Sequence, residues 1–367
     1  MPADDAHMRR ALALAARGRG RTSPNPMVGA VVVDDEGVVV GRGWHEAAGG
    51  PHAEVHALRD AGARARGATL YCTLEPCSHT GRTGPCAPLV IQAGIRRVVV
   101  ATVDPNPVVA GRGLALLKSQ GVEVITGVLG AEAAALNRPF FTVMRAGRPF
   151  VTAKVALSLD ARVAAAPGSR TRMTGEPANA RVHRERAETD AIGVGSGTIL
   201  DDDPLLTARG VYRARPLTRV IFDARLRTPA SARVLTTLDA GPVIIVTSAA
   251  NAASRPEALN ALQRAGADVQ SYPEAGGGRP ALTAVLKHLA GRELTSLILE
   301  GGPRMHQAAW DAGVVDRVQM IVAPRPVGPD GVKWIDYDTM RIGELHDLSC
   351  EPVGEDVFIE GYVHRAD

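Results

Sequence analysis

Apolar residues recur along this chain with two alternating periods. A helical spacing over residues 8–17 is followed by β-rich runs at 28–33 and 38–42 and a second helical stretch at 53–65. A strand at 68–73, a helix at 87–93 and a strand at 97–102 come next, with further αβ units after them. Strands alternating with helices of this length predict a layered α/β domain with a largely parallel sheet. The pattern then restarts. β-rich runs at 150–156, 219–223, 243–247, 296–300 and 317–322 are separated by helical windows at 178–188, 257–265, 282–289 and 305–312. Between the halves, residues 137–149 carry Arg138-Pro139 and Gly147-Arg148-Pro149 as punctuation. The expected division is therefore into domains 1–145 and 146–367.

Length agrees with this, since 367 residues exceed what one core usually supports. The composition is that of a globular α/β protein, 45% hydrophobic and 22% charged. A formal charge of +3 and only 4% aromatic residues argue against a nucleic-acid surface, while leaving room for a small anionic substrate. No stretch approaches the roughly 18–20 uncharged apolar residues of a membrane span, and residues 1–21 carry acids and arginines through their apolar run. The reading is a cytoplasmic protein with neither membrane nor nucleic acid as partner.

Candidate chemistry is concentrated in two short segments, Pro51-His52-Ala53-Glu54 and Glu75-Pro76-Cys77-Ser78-His79 running through to Pro85-Cys86. His52, Cys77 and Cys86 supply one imidazole and two thiolates. Three protein ligands leave the fourth tetrahedral position open, as a catalytic zinc needs; His45 or His79 as a fourth ligand would make the site structural instead. Glu54, two residues after His52 at a helix start, is placed to shuttle protons without ligating the ion. The set has the His-x-Glu and Pro-Cys pattern of zinc nucleobase deaminases, except that eight residues separate the two cysteines where two are usual. Cys72 and Cys350 read as packed thiols.

Over nearly its whole length the chain resembles the bifunctional deaminase and reductase family of riboflavin biosynthesis. Pro24-Asn25-Pro26, Pro51-His52-Ala53-Glu54, the Thr73 to Cys86 segment and Asp104-Pro105-Asn106-Pro107 carry the resemblance in the first half. Lys154 to Asp160, Gly195-Ser196-Gly197-Thr198, Asp202-Asp203-Pro204 and Glu300-Gly301-Gly302-Pro303 carry it in the second. The resemblance implies a cytidine-deaminase-like α/β/α domain followed by a dihydrofolate-reductase-like α/β domain, with Zn2+ and NADPH as cofactors. It implies deamination of a phosphorylated aminopyrimidine riboside, then reduction of its ribosyl group to ribityl. A homo-oligomer is a separate expectation.

By position, Asn25, His45, His79 and Arg82 would hold the deaminase substrate. Ala156, Arg172, Thr198, Asp202, Gly302 and Pro303 would contact NADPH, Asp202 by fixing ribose hydroxyls. Lys154, Arg170, Arg186, Leu206, Arg209 and Glu300 would hold the reductase substrate. Lys154 and Glu300 would orient its pyrimidine; Arg186 and Arg209 would anchor its phosphate. The chain departs from the family where it has Asp160-Ala161 in place of Asp-Gly, Arg170-Thr171-Arg172 in place of a tryptophan-bearing stretch, and Pro326-Val327-Gly328-Pro329 in place of a Leu-Gly-Gly-like turn. These departures leave one alternative open, a paralogue recruited to a natural-product pathway with an altered reductase.

Overall fold

The computed structural model describes residues 2–79, 84–107, 109–169, 171–335 and 344–364. Contacts divide the chain into two compact units that part between Gly147 and Arg148.

In the first unit every residue of β1 (Gly29–Val33) is buried. Val31 and Val33 pack on one face of the sheet, Ala30 and Val32 on the other, as the two-residue period of a strand covered on both sides requires. The partners are β2 (Val39–Trp44), β3 (Thr69–Leu74), β4 (Arg97–Thr102) and β5 (Glu123–Thr126), in the order β2-β1-β3-β4-β5. α1 (Pro2–Ala15) and α5 (Gly130–Leu136) cover one face; α2 (Ala53–Ala61), α3 (Cys86–Gln92) and α4 (Arg112–Ser119) cover the other. The expectation of a largely parallel sheet fails here. β1 runs antiparallel to both β2 and β3, and only β3-β4-β5 is parallel. The cause is local: Asp34 and Val38 close a tight turn between β1 and β2, and a turn that short can join only antiparallel strands.

The stretch read as punctuation is mostly α6 (Arg138–Ala146), with Pro139 in its first turn, where a missing N–H costs nothing, and Gly147 in the left-handed region at its end.

α2 lies unusually close to β2. A Cβ on Gly41 or Gly43 would fall 2.2 Å from the carbonyls of Ala57 and Ala53 respectively, so the glycines admit an alanine-faced helix against bare backbone. That approach sets His52 and Glu54 at the end of the sheet.

The second unit contains β6 (Phe150–Leu157), β7 (Arg162–Ala164), α7 (Glu176–Glu188), β8 (Ala191–Gly195), α8 (Ser196–Asp202), β9 (Thr218–Phe222), β10 (Val243–Ser248), α9 (Ala249–Ser254), α10 (Pro256–Arg264), β11 (Asp268–Tyr272), α11 (Leu282–Gly291), β12 (Ser296–Leu299), α12 (Pro303–Asp311), β13 (Arg317–Val322), β14 (Val332–Lys333), β15 (His346–Val353) and β16 (Asp356–Tyr362). Nine strands form one sheet in the order β11-β10-β9-β8-β12-β6-β13-β16-β15, parallel from β11 to β13 and antiparallel beyond; β7 and β14 make a separate antiparallel ribbon. Two apolar clusters fill its faces, one with α11 and α12, the other with α8 and α10. β15 is one of the two edge strands, and Cys350 on it is exposed, not packed as expected. Among the described residues no helix is long and apolar enough to cross a membrane.

Candidate active sites

His52 is the N-cap of α2, with extended backbone, and Glu54 occupies the first turn of that helix. Cys86 opens α3 directly after Pro85, and its backbone N–H donates to Cys77 Sγ at 3.3 Å. The two helix starts face each other, placing His52 Nδ1 3.2 Å from Cys86 Sγ and 3.5 Å from Cys77 Sγ. Among the described residues these three form the one group of His, Cys, Asp or Glu donors near enough to share an ion, all within 4.8 Å. Metal–ligand bonds of about 2.0–2.3 Å around tetrahedral zinc imply donor separations of about 3.6 Å, so the donor set fits that metal. The hydrogen bond from Cys86, together with His52 and the Cys86 amide, pulls the Cys77 thiol well below its ordinary range. The resulting thiolate and burial push Cys86 up. Without metal the pair therefore keeps one proton, which binding of zinc would release.

Glu54 is 3% exposed. Burial pushes its carboxyl up to about 7, against a smaller opposing pull from His52. A carboxyl near neutrality can both take and give a proton. Next to it, His45 Nδ1 donates to the Pro51 carbonyl at 3.0 Å, which leaves Nε2 as acceptor for Asn25 Nδ2 at 3.1 Å. The His45 ring meets His52 edge-on at 5.6 Å, and burial lowers its pKa. The structure thus gathers Asn25, His45, His52, Glu54, Cys77 and Cys86. His79 is exposed on the following loop, and Arg82 lies outside the described residues.

Sequence reasoning gave Glu75 no role, yet it is 3% exposed and collects four backbone N–H groups. Asp104 and Gly111 donate to Oε2, Gly113 and Leu114 to Oε1, between 2.9 and 3.3 Å. It thereby caps α4 and fastens the Asp104 loop beside the cysteine segment. An acid directly before Pro76-Cys77, on a fully buried strand end, was the available signal.

In the second unit Ala156, Thr198, Glu300 and Gly302 lie at or just beyond the carboxyl ends of β6, β8 and β12, where open parallel sheets place ligands. Gly301 packs so tightly on α8 that a Cβ would lie 2.8 Å from Thr198 Oγ1, and Gly302 holds φ +67, which favours glycine. Thr198, Gly302 and Pro303 are therefore neighbours, with Pro303 opening α12. Arg186 grips Glu300 with two hydrogen bonds of 2.6 Å and donates to the Thr207 carbonyl at 3.0 Å; Lys154 Nζ stands 3.7 Å from Glu300 Oε2. These two cations hold Glu300 down to about 2 despite its burial. Arg186 was expected on the substrate phosphate; in this structure its fork is taken by Glu300.

Leu206 is buried at φ +54, and the Arg209 backbone N–H donates to His183 Nδ1 at 3.2 Å. Asp202 is the last residue of α8, and Ala156 lies near the end of β6. Arg172 is exposed, with Glu176 3.9 Å away, and Arg170 lies outside the described residues. Arg227, which no sequence motif flagged, donates to Ser196 Oγ at 2.8 Å where α8 begins.

Comparison with known proteins bears on both sites. Residues 1–102 match the cytidine and deoxycytidylate deaminase zinc-binding region, and residues 149–359 match the RibD C-terminal domain. The chain is 42% identical over 359 residues to riboflavin biosynthesis protein RibD of Aquifex aeolicus, covering 97% of each. The chain belongs to the RibD family. The RibD protein of Escherichia coli is 40% identical over 339 residues, covering 89% of each chain. Among solved structures, Acinetobacter baumannii RibD superposes with a TM-score of 0.85 at 34% identity, covering 98% of this chain and 99% of that one. A Thermotoga maritima diaminohydroxyphosphoribosylaminopyrimidine deaminase/5-amino-6-(5-phosphoribosylamino)uracil reductase gives 0.82 at 32% identity over the same shares.

As a RibD family member the chain joins a cytidine-deaminase-like domain to a dihydrofolate-reductase-like one and acts in riboflavin biosynthesis, with zinc serving the deaminase and NADPH the reductase. Nothing in these matches favours the recruited paralogue. Two of the departures are also accommodated locally. Ala161 takes φ +58, the conformation glycine would adopt, and Asp160 accepts from Ser158 Oγ at 2.6 Å and from the Val327 and Gly328 amides at 2.9 and 2.8 Å. The altered 326–329 turn is thus tied to the altered 160–161 turn.

Proposed function

We propose that residues 1–145 deaminate 2,5-diamino-6-(5-phosphoribosylamino)pyrimidin-4-one and that residues 146–367 then reduce the ribosyl group of the product to ribityl with NADPH. The observation that carries this reading is the meeting of His52, Cys77 and Cys86 around one point with Glu54 buried beside them.

His52, Cys77 and Cys86 would hold the zinc, which would supply an acidified water at neutral pH. Glu54 would take one proton from that water as its oxygen adds to the amine-bearing ring carbon and pass it to the ring nitrogen, then take the remaining proton of the new hydroxyl and deliver it to the amine, which leaves as ammonia while the carbonyl forms. Asn25 and His45, whose tautomer is set by the Pro51 carbonyl, orient the pyrimidine; Arg82 and His79 are the candidates for its flank and phosphate.

In the second domain NADPH supplies the hydride. The ribosylamine opens to an imine when its N–H proton moves to the ring oxygen; the anomeric carbon would then accept the hydride while the nitrogen, left with the C=N electron pair, takes a proton from water. Lys154 and Glu300 orient the pyrimidine, with Arg186 fixing Glu300 as an anion. Arg209, Arg170 and Leu206 complete the substrate side. Thr198, Asp202, Gly302, Pro303, Ala156 and Arg172 face the cofactor. Near-neutral charge and few aromatics support a cytoplasmic enzyme of small molecules with no nucleic-acid partner. A homo-oligomer is part of the reading.

The test is incubation with the diaminopyrimidinone ribose phosphate, with and without NADPH, followed by mass analysis. Exchange of amine for carbonyl alone is expected without NADPH, and a further two hydrogens with it. An unchanged substrate in both tubes would refute the reading.

A further inference from the structure

The hydrogen bonds of His306 join three elements that the reductase uses separately. His306 lies in the first turn of α12, with its backbone N–H on the Gly302 carbonyl, and is 3% exposed. Its Nε2 is 2.9 Å from the Leu299 carbonyl, which can only accept, so Nε2 carries the hydrogen. Nδ1 therefore offers a lone pair, and Trp334 Nε1–H donates to it at 2.8 Å, the two rings standing perpendicular with centroids 6.0 Å apart. The neutral ring is satisfied on both sides.

Leu299 is the last residue of β12, immediately before Glu300. Trp334 follows β14, which pairs with β7, and β7 leads from the Asp160-Ala161 turn into the segment bearing Arg172. One imidazole thus links the β7–β14 ribbon, the strand end that presents Glu300, and the helix that starts at Gly302-Pro303.

We propose that His306 and Trp334 are positioning residues of the reductase, holding ribbon, Glu300 strand end and Gly302-Pro303 turn in one register for hydride transfer. The inference rests on the reductase reading above. Charged groups facing the ring are Lys154 on β6, which opposes a proton, and Glu300 beyond β12, which favours one; Arg186 on α7 reaches it only through Glu300. Burial outweighs both, and the imidazole is pushed down to about 4.

Trp334→Phe keeps an aromatic ring, though a smaller one, and removes the donor. Nδ1 then becomes free to take a proton, so the histidine's pKa moves up toward its ordinary range. The full-length variant, assayed on product made in place by its own deaminase, should lose about tenfold in reductase kcat/KM. It should also gain an acid limb near pH 6 that the wild type lacks, with deaminase turnover unchanged. His306→Gln, which cannot titrate, should show a similar fall without the limb. Wild-type kcat/KM and pH profile in both variants would overturn the proposal while leaving the reductase reading intact; a wild type that oxidises no NADPH would sink that reading and this one with it. Should Trp334→Phe fail to fold, Trp334 fluorescence in a Trp44→Phe/Trp310→Phe protein decides. A transition near pH 4 supports the pair, and one at or above pH 6 refutes it.

Discussion

Glu54 and Glu300 are both buried carboxyls, one in each domain, and their surroundings drive them in opposite directions. Glu54 sits beside His52 and two cysteines, and in the metal-free centre burial raises it to about 7 against the smaller pull of His52. Glu300 is held by the Arg186 fork with Lys154 alongside, and falls to about 2. The first can carry a proton at neutral pH; the second is a fixed anion. The difference matches the two chemistries, since hydrolytic deamination moves several protons, whereas hydride transfer asks mainly for positioning.

The sharpest way to break this contrast is Glu54→Gln. Deaminase kcat should fall by about 10²–10⁴-fold, with zinc content retained by metal analysis and NADPH oxidation on pre-deaminated substrate unchanged. Cys77→Ser or Cys86→Ser should instead lose zinc along with activity. Deamination that survives Glu54→Gln would show that another group moves the protons.

On the other side, Arg186→Leu removes both charge-assisted hydrogen bonds from buried Glu300, leaving Lys154 at 3.7 Å as its cation, and should destabilise the second domain by about 3 kcal/mol. Denaturant unfolding followed by a probe in that domain measures it. A loss under about 1 kcal/mol, which is all that an exposed pair contributes, would mean the bridge is not desolvated.

Acid should sharpen the contrast next. Glu300 falls from its ordinary 4.5 to about 2 in the fold, so between those values the unfolded chain binds more protons, and stability present above pH 4.5 is lost as pH drops toward 2. His306 adds a higher window. Its folded value of about 4 lies below the ordinary 6.5, so acidification from pH 6.5 to 4 also favours the unfolded chain. Each group contributes roughly 3 kcal/mol, because a tenfold change in proton affinity between the folded and unfolded chain is worth about 1.4 kcal/mol. Chemical unfolding at a series of pH values should show both slopes in the wild type and lose the upper one in His306→Gln.

The smallest effect is expected at the 160–161 turn. Ala161 holds φ +58, which glycine adopts without a Cβ penalty, so Ala161→Gly should stabilise the second domain by about 0.5–1 kcal/mol, read as a rise in Tm. A fall would mean that the turn relaxes around alanine.

The deaminase centre was legible because its four groups sit in two short segments. His52 and Glu54 are two residues apart at one helix start, and Cys86 opens the next helix after Pro85, so local rules alone place them. The reductase centre was legible as a set of candidates but not as a pairing. Arg186 and Glu300 are 114 residues apart, and nothing in either segment shows that the guanidinium would close on the carboxylate and leave the phosphate role open. Helix α6 was hidden for another reason: Arg138-Pro139 reads as a break, yet proline in a first turn is compatible with a helix.

By itself, then, the sequence determined the alternation of elements, the two-domain plan, and the candidate zinc donors and proton carrier, all of which follow from periodicity and from chemistry within a few neighbouring residues. Tertiary structure decided the antiparallel half of the first sheet, the capping role of Glu75, the exposure of Cys350 on an edge strand, and the opposite directions in which Glu54 and Glu300 are shifted. A buried group's charge depends on which groups the fold brings within a few ångströms and how much water it removes, and neither quantity is written at the position of the residue itself.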